Sequence, residues 1–101
     1  MNPNLVDSVV VLGKKLVVIE RDLTKEDVDG HYLADKGVIE IDINLDSIKK
    51  QEILGHEMFH AFLDLSGWSN YLHPSVEESL CQLFERIVMV IKQPFYKKEK
   101  K

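Results

Sequence analysis

The sequence predicts an α+β fold, in which a small N-terminal β-sheet is followed by two packed helices. Apolar residues come in short β-branched runs before about residue 46, and beyond that point they recur at helical spacing. A chain of 101 residues has room for one domain, and it contains no repeat or Pro/Gly/Ser-rich linker that would mark a boundary. We therefore predict one domain over residues 1–96 and a basic, disordered tail over residues 97–101.

The first half of the chain contains the strand candidates. Residues 16–19 form a continuous apolar run that is mostly β-branched, and residues 9–12 form a strand or a short helix leading into it. Residues 38–43 alternate apolar and polar side chains, which is typical of a half-buried strand. The sequence DKG at residues 35–37 is typical of a hairpin turn that follows a strand at residues 30–34.

The second half of the chain predicts two helices. Asp46 or Ser47 can cap the first helix, which Gly67 ends. Pro74 stands where prolines open helices, and the second helix would end near Pro94. The apolar side chains expected to face the core are Ile48, Leu54, Met58, Phe59, Phe62 and Leu65, then Val76, Leu80, Leu83, Phe84, Ile87 and Ile91.

Composition restricts the class of partner. The net charge is -4 and the only basic run is at the C-terminal end, which argues against nucleic acid. No apolar run approaches the ~20 residues that span a bilayer, and no Lys/Arg-led apolar leader begins the chain. We therefore expect no membrane partner and a cytoplasmic location.

The single cysteine, Cys81, allows no intrachain disulfide, and we interpret it as a small buried apolar residue. The sequence does not indicate whether the protein is a monomer or an oligomer.

The sequence HEMFH at residues 56–60 indicates metal chemistry. His56 and His60 are four residues apart, so on a helix they share one face and can both reach one tetrahedral zinc ion. Glu57 points about 100° round the helix, where it borders the metal without binding it. In that position it can act as general base on the metal-bound water. The motif predicts Zn²⁺ as cofactor and a protein or peptide as substrate, cleaved at a peptide bond.

A catalytic zinc site needs a third protein ligand, and three candidates follow the motif. Glu77 shares the apolar arc of the second helix, whereas Glu78 falls on its polar side. A carboxylate within an apolar arc is costly to bury unless a cation meets it, so Glu77 is preferred over Glu78. His73 is the third candidate, and it or Tyr71 would alternatively face the site and stabilise an oxyanion.

Most of the chain, roughly residues 16–91, resembles the small zinc peptidases of phages and mobile elements related to the ImmA/IrrE group. The matching segments are GHY at residues 30–32, IEI at 39–41, ILGHEMFHA at 53–61 and EESLCQLF at 77–84. The resemblance implies a minimal zincin-like metallopeptidase fold with a gluzincin-like site, encoded by a phage or mobile element. It implies His56, His60 and Glu77 as zinc ligands. It further implies Glu57 as the general base.

Two other kinds of protein remain alternatives. One is a zinc-stabilised protein-binding module, a lapsed peptidase that docks a host or phage regulator. The other is a metal-free domain in which the histidines are incidental. Glu57 favours the enzyme, because a structural zinc site has no need of a general base. For an active peptidase we expect the substrate to lie extended along residues 38–43, at the edge of the sheet.

Overall fold

The computed structural model describes residues 5–88, which form a four-stranded sheet followed by two helices. The strands are β1 (Ser8–Val11), β2 (Lys14–Arg21), β3 (Gly30–Leu33) and β4 (Val38–Asp42). The helices are α1 (Ser47–Leu65) and α2 (Pro74–Val88). The predicted α+β arrangement is confirmed. The expected helix end near Pro94 and the expected tail at residues 97–101 lie outside the described residues.

The sheet has the strand order β1-β2-β4-β3. β1 and β2 form an antiparallel hairpin, β2 and β4 pair in parallel, and β3 pairs antiparallel with β4. β4 is therefore an interior strand, and β3 is an edge strand. The prediction that residues 38–43 form an edge is wrong, because β2 occupies one side of that strand and β3 the other. Alternation in the sequence predicts a strand but not its neighbours.

The core lies between the sheet and α1. Its largest apolar side chains without exposure are Leu16, Leu23, Ile39, Ile41 and Leu54. Gly30 allows β3 to approach α1 closely, since a Cβ there would stand 2.6 Å from Cγ2 of Ile53 and 2.9 Å from the carbonyl oxygen of Glu40. This close approach brings the edge of the sheet next to the HEMFH segment of α1.

The first helix begins and ends where its capping residues predict. Asp46 is the N-cap of α1, and its side chain accepts a hydrogen bond from the backbone N–H of Lys49 at 2.8 Å. The helix ends at Leu65, and Gly67 adopts a φ of 85°, which glycine reaches without steric cost. A short 3-10 turn (Trp68–Asn70) then leads to α2. Within residues 5–88, no helix is both long and apolar enough to cross a membrane.

The second helix packs against α1 with a face that only partly matches its apolar pattern, since Phe84 stacks on Phe59 of α1 with ring centroids 4.9 Å apart but other predicted core residues are exposed. Val76, Leu83 and Ile87 are expected in the core, but they are 46%, 56% and 48% exposed. Ile48, at the start of α1, is likewise exposed. Cys81, which has no exposure, lies instead on the face of α2 that meets α1. The apolar pattern misleads here because the face toward α1 also carries carboxylates, which pair with the histidines of α1.

Candidate metal centre

The two predicted histidines lie on the face of α1 that meets α2. Their ring centroids are 5.0 Å apart, as the four-residue spacing predicts. His56 contacts a carboxylate late in α2, and His60 contacts carboxylates near its start, so the two helices run antiparallel across the site. His56 and Glu57 are both buried, and each is only 8% exposed. The HEMFH segment is therefore enclosed between α2 and the edge of the sheet.

Glu78 lies between the two imidazoles. Its Oε1 atom is 3.2 Å from Nε2 of His56 and 3.0 Å from Nε2 of His60. Zinc bonds of about 2.0–2.1 Å at tetrahedral angles place neighbouring ligand atoms about 3.3 Å apart. The oxygen of Glu78 therefore stands from each of the two nitrogens at a separation that suits two ligands of one zinc ion.

Two further carboxylates of α2 contact the other nitrogen of each imidazole. Oε2 of Glu85 is 2.8 Å from Nδ1 of His56, and Oε2 of Glu77 is 2.7 Å from Nδ1 of His60. Each imidazole thus has a carboxylate oxygen at both ring nitrogens. A neutral imidazole has one N–H to donate, so the second contact is favourable only when the ring gains a proton or a cation lies at that nitrogen.

A single divalent cation satisfies this arrangement better than two extra protons. Two imidazolium rings with centroids 5.0 Å apart would repel each other. One cation placed between both Nε2 atoms and Glu78 would replace the two protons and offset the surrounding negative charge. That charge comes from Glu57, Glu77, Glu78 and Glu85. The donor set of two imidazoles and a carboxylate is one that Zn²⁺ accepts.

The contacts favour Glu78 over Glu77 as the third ligand. Glu77, the residue that helical phase selects, does reach the site, but it contacts His60 at Nδ1. Glu78 faces the Nε2 atoms of both histidines. Helical phase selects Glu77 only when the apolar stripe of α2 faces α1. Since that stripe is largely exposed, α2 is rotated so that Glu78 points between the rings.

His73 and Tyr71 lie outside the cluster of histidines and carboxylates. Nδ1 of His73 accepts a hydrogen bond from the backbone N–H of Ser75 at 3.1 Å and also contacts its hydroxyl, so it caps the start of α2. Tyr71 is 83% exposed and packs edge-on against Trp68. These positions give neither residue a contact with the histidines of α1, and they do not support a role as ligand or oxyanion donor.

Burial and charge shift the pKa values of the site. Burial raises the pKa of Glu57 above its ordinary value, although His60 and His56 lower it. Burial lowers the pKa of His60, but the neighbouring carboxylates, Glu77 first, raise it above its ordinary value. Burial raises the pKa of Glu77, but the hydrogen bonds to His60 and Ser69 together with the charge of His60 outweigh this effect, and the pKa lies below its ordinary value. Glu57 is thus the carboxyl whose pKa moves toward the range that suits a general base.

Two cavities share Glu57 and His60. One, of about 470 Å³, is also lined by His56, Glu78 and Gly30. The other, of about 400 Å³, is also lined by Tyr32, Asp64 and Glu77. The edge strand β3 borders both cavities, Gly30 at the first and Tyr32 at the second. A chain lying along β3 would therefore pass beside Glu57 and the histidines.

Glu85, which contacts His56, is not among the site residues that the sequence predicts. The spacing in the sequence could have identified it, because Glu85 is eight residues after Glu77 and seven after Glu78, so all three share one helical face.

Cys81 is buried, as expected, but its Sγ and a nitrogen of each histidine all lie within 4.8 Å of one another. Burial raises the pKa of the Cys81 thiol to about 12, so the thiol is neutral unless a metal binds it.

A family model described as "DA1-like: Protein DA1" matches residues 23–93 of the chain. The match spans 71 of the 101 residues (93 − 23 + 1). The chain belongs to the DA1-like family. The matched region of this DA1-like chain contains β3, β4, α1 and α2, which carry every residue of the site described above. No curated protein and no solved structure matches the chain.

The resemblance to the ImmA/IrrE group is wrong, because the family that matches is a different one. The segments that suggested it are short, and they consist of features that any zinc site on two helices beside a strand would share. The inferred phage or mobile-element origin depended on that resemblance and has no other support. Membership in the DA1-like family does not by itself assign a reaction, so the function must be argued from the site.

Proposed function

We propose that this DA1-like chain is a zinc-dependent peptidase. The observation that supports the proposal is the pair of imidazole Nε2 atoms, each within 3.2 Å of the Glu78 carboxylate, beside the buried Glu57. His56, His60 and Glu78 would hold the ion. Three protein ligands leave a fourth position open for chemistry. In this ligand set Glu78 takes the place that helical phase gives to Glu77.

Glu57 is the residue that moves protons in this proposal. When bound, zinc would polarise the scissile carbonyl and lower the pKa of the attacking water toward about 7. A carboxylate oxygen of Glu57 accepts the proton of that water and passes it to the nitrogen of the leaving amine. Its burial and raised pKa suit both the uptake and the release of the proton. Burial disfavours the ionised carboxylate, so the protonated form is closer in free energy to the ionised form than it is in bulk water.

The substrate is proposed to lie along β3 and not along residues 38–43. The backbone N–H of Asp42 donates to the carbonyl of Asp29, so the hydrogen-bonded pairs of this ladder include Asp29 with Asp42 and His31 with Glu40. The backbone groups of Gly30 and Tyr32 therefore point away from β4. No strand within residues 5–88 pairs with that side of β3. An extended peptide can add there as a further strand, next to both cavities.

A zinc-stabilised binding module is the second candidate, and Cys81 is the observation that favours it. Its Sγ lies within 4.8 Å of a nitrogen of each histidine. If Cys81 and Glu78 both bound the ion together with the histidines, four protein ligands would close the site, as in structural zinc centres. The zinc would then hold α1 and α2 together, and Glu57 would have no task.

Metal content distinguishes the ligand sets. Purified protein should contain one zinc per chain by elemental analysis, and His56→Ala and Glu78→Ala should abolish binding. Cys81→Ala should retain the zinc if the site is open, whereas its loss would indicate the closed, structural site. Glu77→Ala should weaken the binding without changing the ligand set. Wild-type protein that binds no zinc, even after reconstitution, would exclude the proposal.

Activity distinguishes the enzyme from the binding module. Zinc-loaded protein is incubated with a mixture of synthetic peptides of randomised sequence, and cleavage is followed by mass spectrometry. Glu57→Gln should lower the rate of cleavage by about 10²–10⁴-fold while retaining the zinc, since it removes the proton acceptor and keeps the shape of the side chain. Equal cleavage by the variant would show that Glu57 is not the general base.

The proposal includes a cytoplasmic location and a protein or peptide as the partner. A free thiol beside the site, that of Cys81, is compatible with a reducing compartment. Nucleic acid and membranes are not partners in this proposal, since four carboxylates surround the site and would repel phosphate groups.

A further inference from the structure

Each imidazole of the site has a carboxylate of its own on the side away from Glu78. Glu85 contacts Nδ1 of His56 at 2.8 Å, and Glu77 contacts Nδ1 of His60 at 2.7 Å. The side chains of these two glutamates are 18% and 19% exposed, whereas that of Glu78 is 47% exposed. The two shielded carboxylates therefore flank the histidines, and the more exposed one lies between the two rings.

The helical spacing explains why two carboxylates fit here. Glu77, Cys81 and Glu85 follow one another at intervals of four residues, so they form one stripe along α2. Cys81, in the middle, is small and without exposure, which allows the stripe to approach the histidines closely. The carboxylates on either side of it then reach one imidazole each.

A carboxylate at Nδ1 determines which ring nitrogen remains available for a metal. It accepts the Nδ1–H hydrogen bond, so the lone pair of a neutral imidazole is at Nε2. It also fixes the rotation of the ring and raises the basicity of the ligating nitrogen. In this site both Nε2 atoms point toward Glu78, and the ring planes are tilted by 54° to each other. Without these hydrogen bonds, either ring can rotate and present the wrong nitrogen.

We propose that Glu85 and Glu77 are positioning residues, which hold His56 and His60 with Nε2 directed at the metal. This inference rests on the proposed zinc site and gives Glu77 a task other than ligation. Of the two, Glu85 provides the sharper test, because it lies seven residues beyond Glu78, whereas Glu77 is next to Glu78 in the chain.

The experiment measures zinc affinity by competition with a chelator for wild type, Glu85→Ala, Glu85→Gln and the control Glu52→Gln. Glu52 lies on α1 and pairs with Lys49, so its loss should leave the affinity unchanged. Glu85→Ala should weaken zinc binding about 10–100-fold. Glu85→Gln should recover part of the loss, because its amide oxygen still accepts the Nδ1–H hydrogen bond. Thermal unfolding of the metal-free variants checks that each one folds.

A second readout follows the imidazoles themselves. In ¹H–¹⁵N spectra of zinc-loaded protein, the Nδ1–H signals of both histidines should be visible and slow to exchange. Glu85→Ala should change the His56 signal and leave that of His60, and Glu77→Ala should do the reverse. If the glutamates only contributed to packing, each variant would not change the signal of one histidine and leave that of the other.

Three results would overturn the inference. One is wild-type zinc affinity in Glu85→Ala together with an unchanged His56 signal. Another is zinc binding that survives Glu78→Ala but not Glu77→Ala, which would make Glu77 a ligand. The third is a wild-type protein that binds no zinc, which would overturn the proposed function as well. Zinc binding without peptide cleavage would contradict the peptidase proposal alone, and the affinity series would still decide the positioning roles.

Discussion

Neighbouring glutamates in the first turns of α2 have different partners. Glu78 faces Nε2 of both histidines, whereas Glu77 contacts Nδ1 of His60. Helical spacing is sufficient to predict that His56 and His60 share a face, because both belong to one helix of known period. It does not select between the two glutamates. That choice depends on how α2 is rotated against α1, which the apolar pattern of α2 does not determine.

Gln51 of α1 is a residue-scale feature that sequence gives no reason to expect. It has no exposure, and among the described residues neither its amide oxygen nor its amide nitrogen has a hydrogen-bond partner. Burying such a group without a partner costs about 1–3 kcal/mol. Gln51→Leu should therefore increase the free energy of unfolding by about that amount, as measured by urea denaturation.

The matched control for this prediction is Gln82→Leu, because Gln82 is an exposed glutamine of α2. That change should alter the free energy of unfolding by no more than about 0.5 kcal/mol. A loss of stability in Gln51→Leu would mean that the amide has a partner, such as a buried water, which leucine cannot replace.

At the scale of the elements, one carboxylate joins three strands. Glu40 of β4 accepts a hydrogen bond at 2.7 Å from Nε of Arg21 on β2, and its other oxygen contacts His31 on β3. The alternation in residues 38–43 predicts that β4 is half buried and that Glu40 lies on the face opposite Ile39 and Ile41. It does not predict that Glu40 is itself buried, because its partners come from strands that are neighbours only in the folded sheet.

This network predicts an acid-sensitive contribution to stability. The hydrogen bonds from Arg21 and then His31 lower the pKa of Glu40 from 4.5 to about 2. A carboxyl with a lowered pKa stabilises the fold above its unfolded value, and that stability is lost as the pH falls from about 4.5 to about 2. Glu40→Gln should reduce the decline of the unfolding free energy in this range, as measured by urea denaturation at a series of pH values.

The control for the network is Asp35→Asn, a change in the exposed turn between β3 and β4 that leaves the contacts of Glu40 intact. This variant should follow the wild-type decline in stability. If Glu40→Gln did so too, the acid sensitivity would come from other carboxyl groups.

At the scale of the whole molecule, the order of elements was predictable and their relative placement was not. Strands, helices and caps follow from local patterns, and the structure confirms them. The crossover that makes β3 the edge strand, and the rotation of α2, depend on contacts between distant segments. These two features determine which strand has an unpaired edge and which glutamate lies between the histidines. They are therefore the points at which the placement of elements differs from the one that the sequence predicts.

The division of the proposed metal centre between two helices predicts that zinc stabilises the fold. The two histidines belong to α1 and Glu78 to α2, and residues 66–73 separate the helices. A ligand that binds only the folded state at 100 times its Kd adds about 2.7 kcal/mol to the free energy of unfolding. Zinc should therefore raise the Tm of wild type, and a chelator should reverse the increase. In His56→Ala neither addition should change the Tm, and a zinc-dependent increase there would mean that the ion binds elsewhere.

The separation of the two helices along the chain also bears on synthesis at the ribosome. A nascent chain that has emerged only as far as residue 73 contains the whole HEMFH segment but not Glu78, Glu77 or Glu85. Under the proposed function such a chain holds neither the third ligand nor the carboxylates that orient the imidazoles. Under that proposal the protein becomes able to cut peptide bonds only after α2 has emerged and docked, and its own unfolded segments are not exposed to a working centre while they are being made.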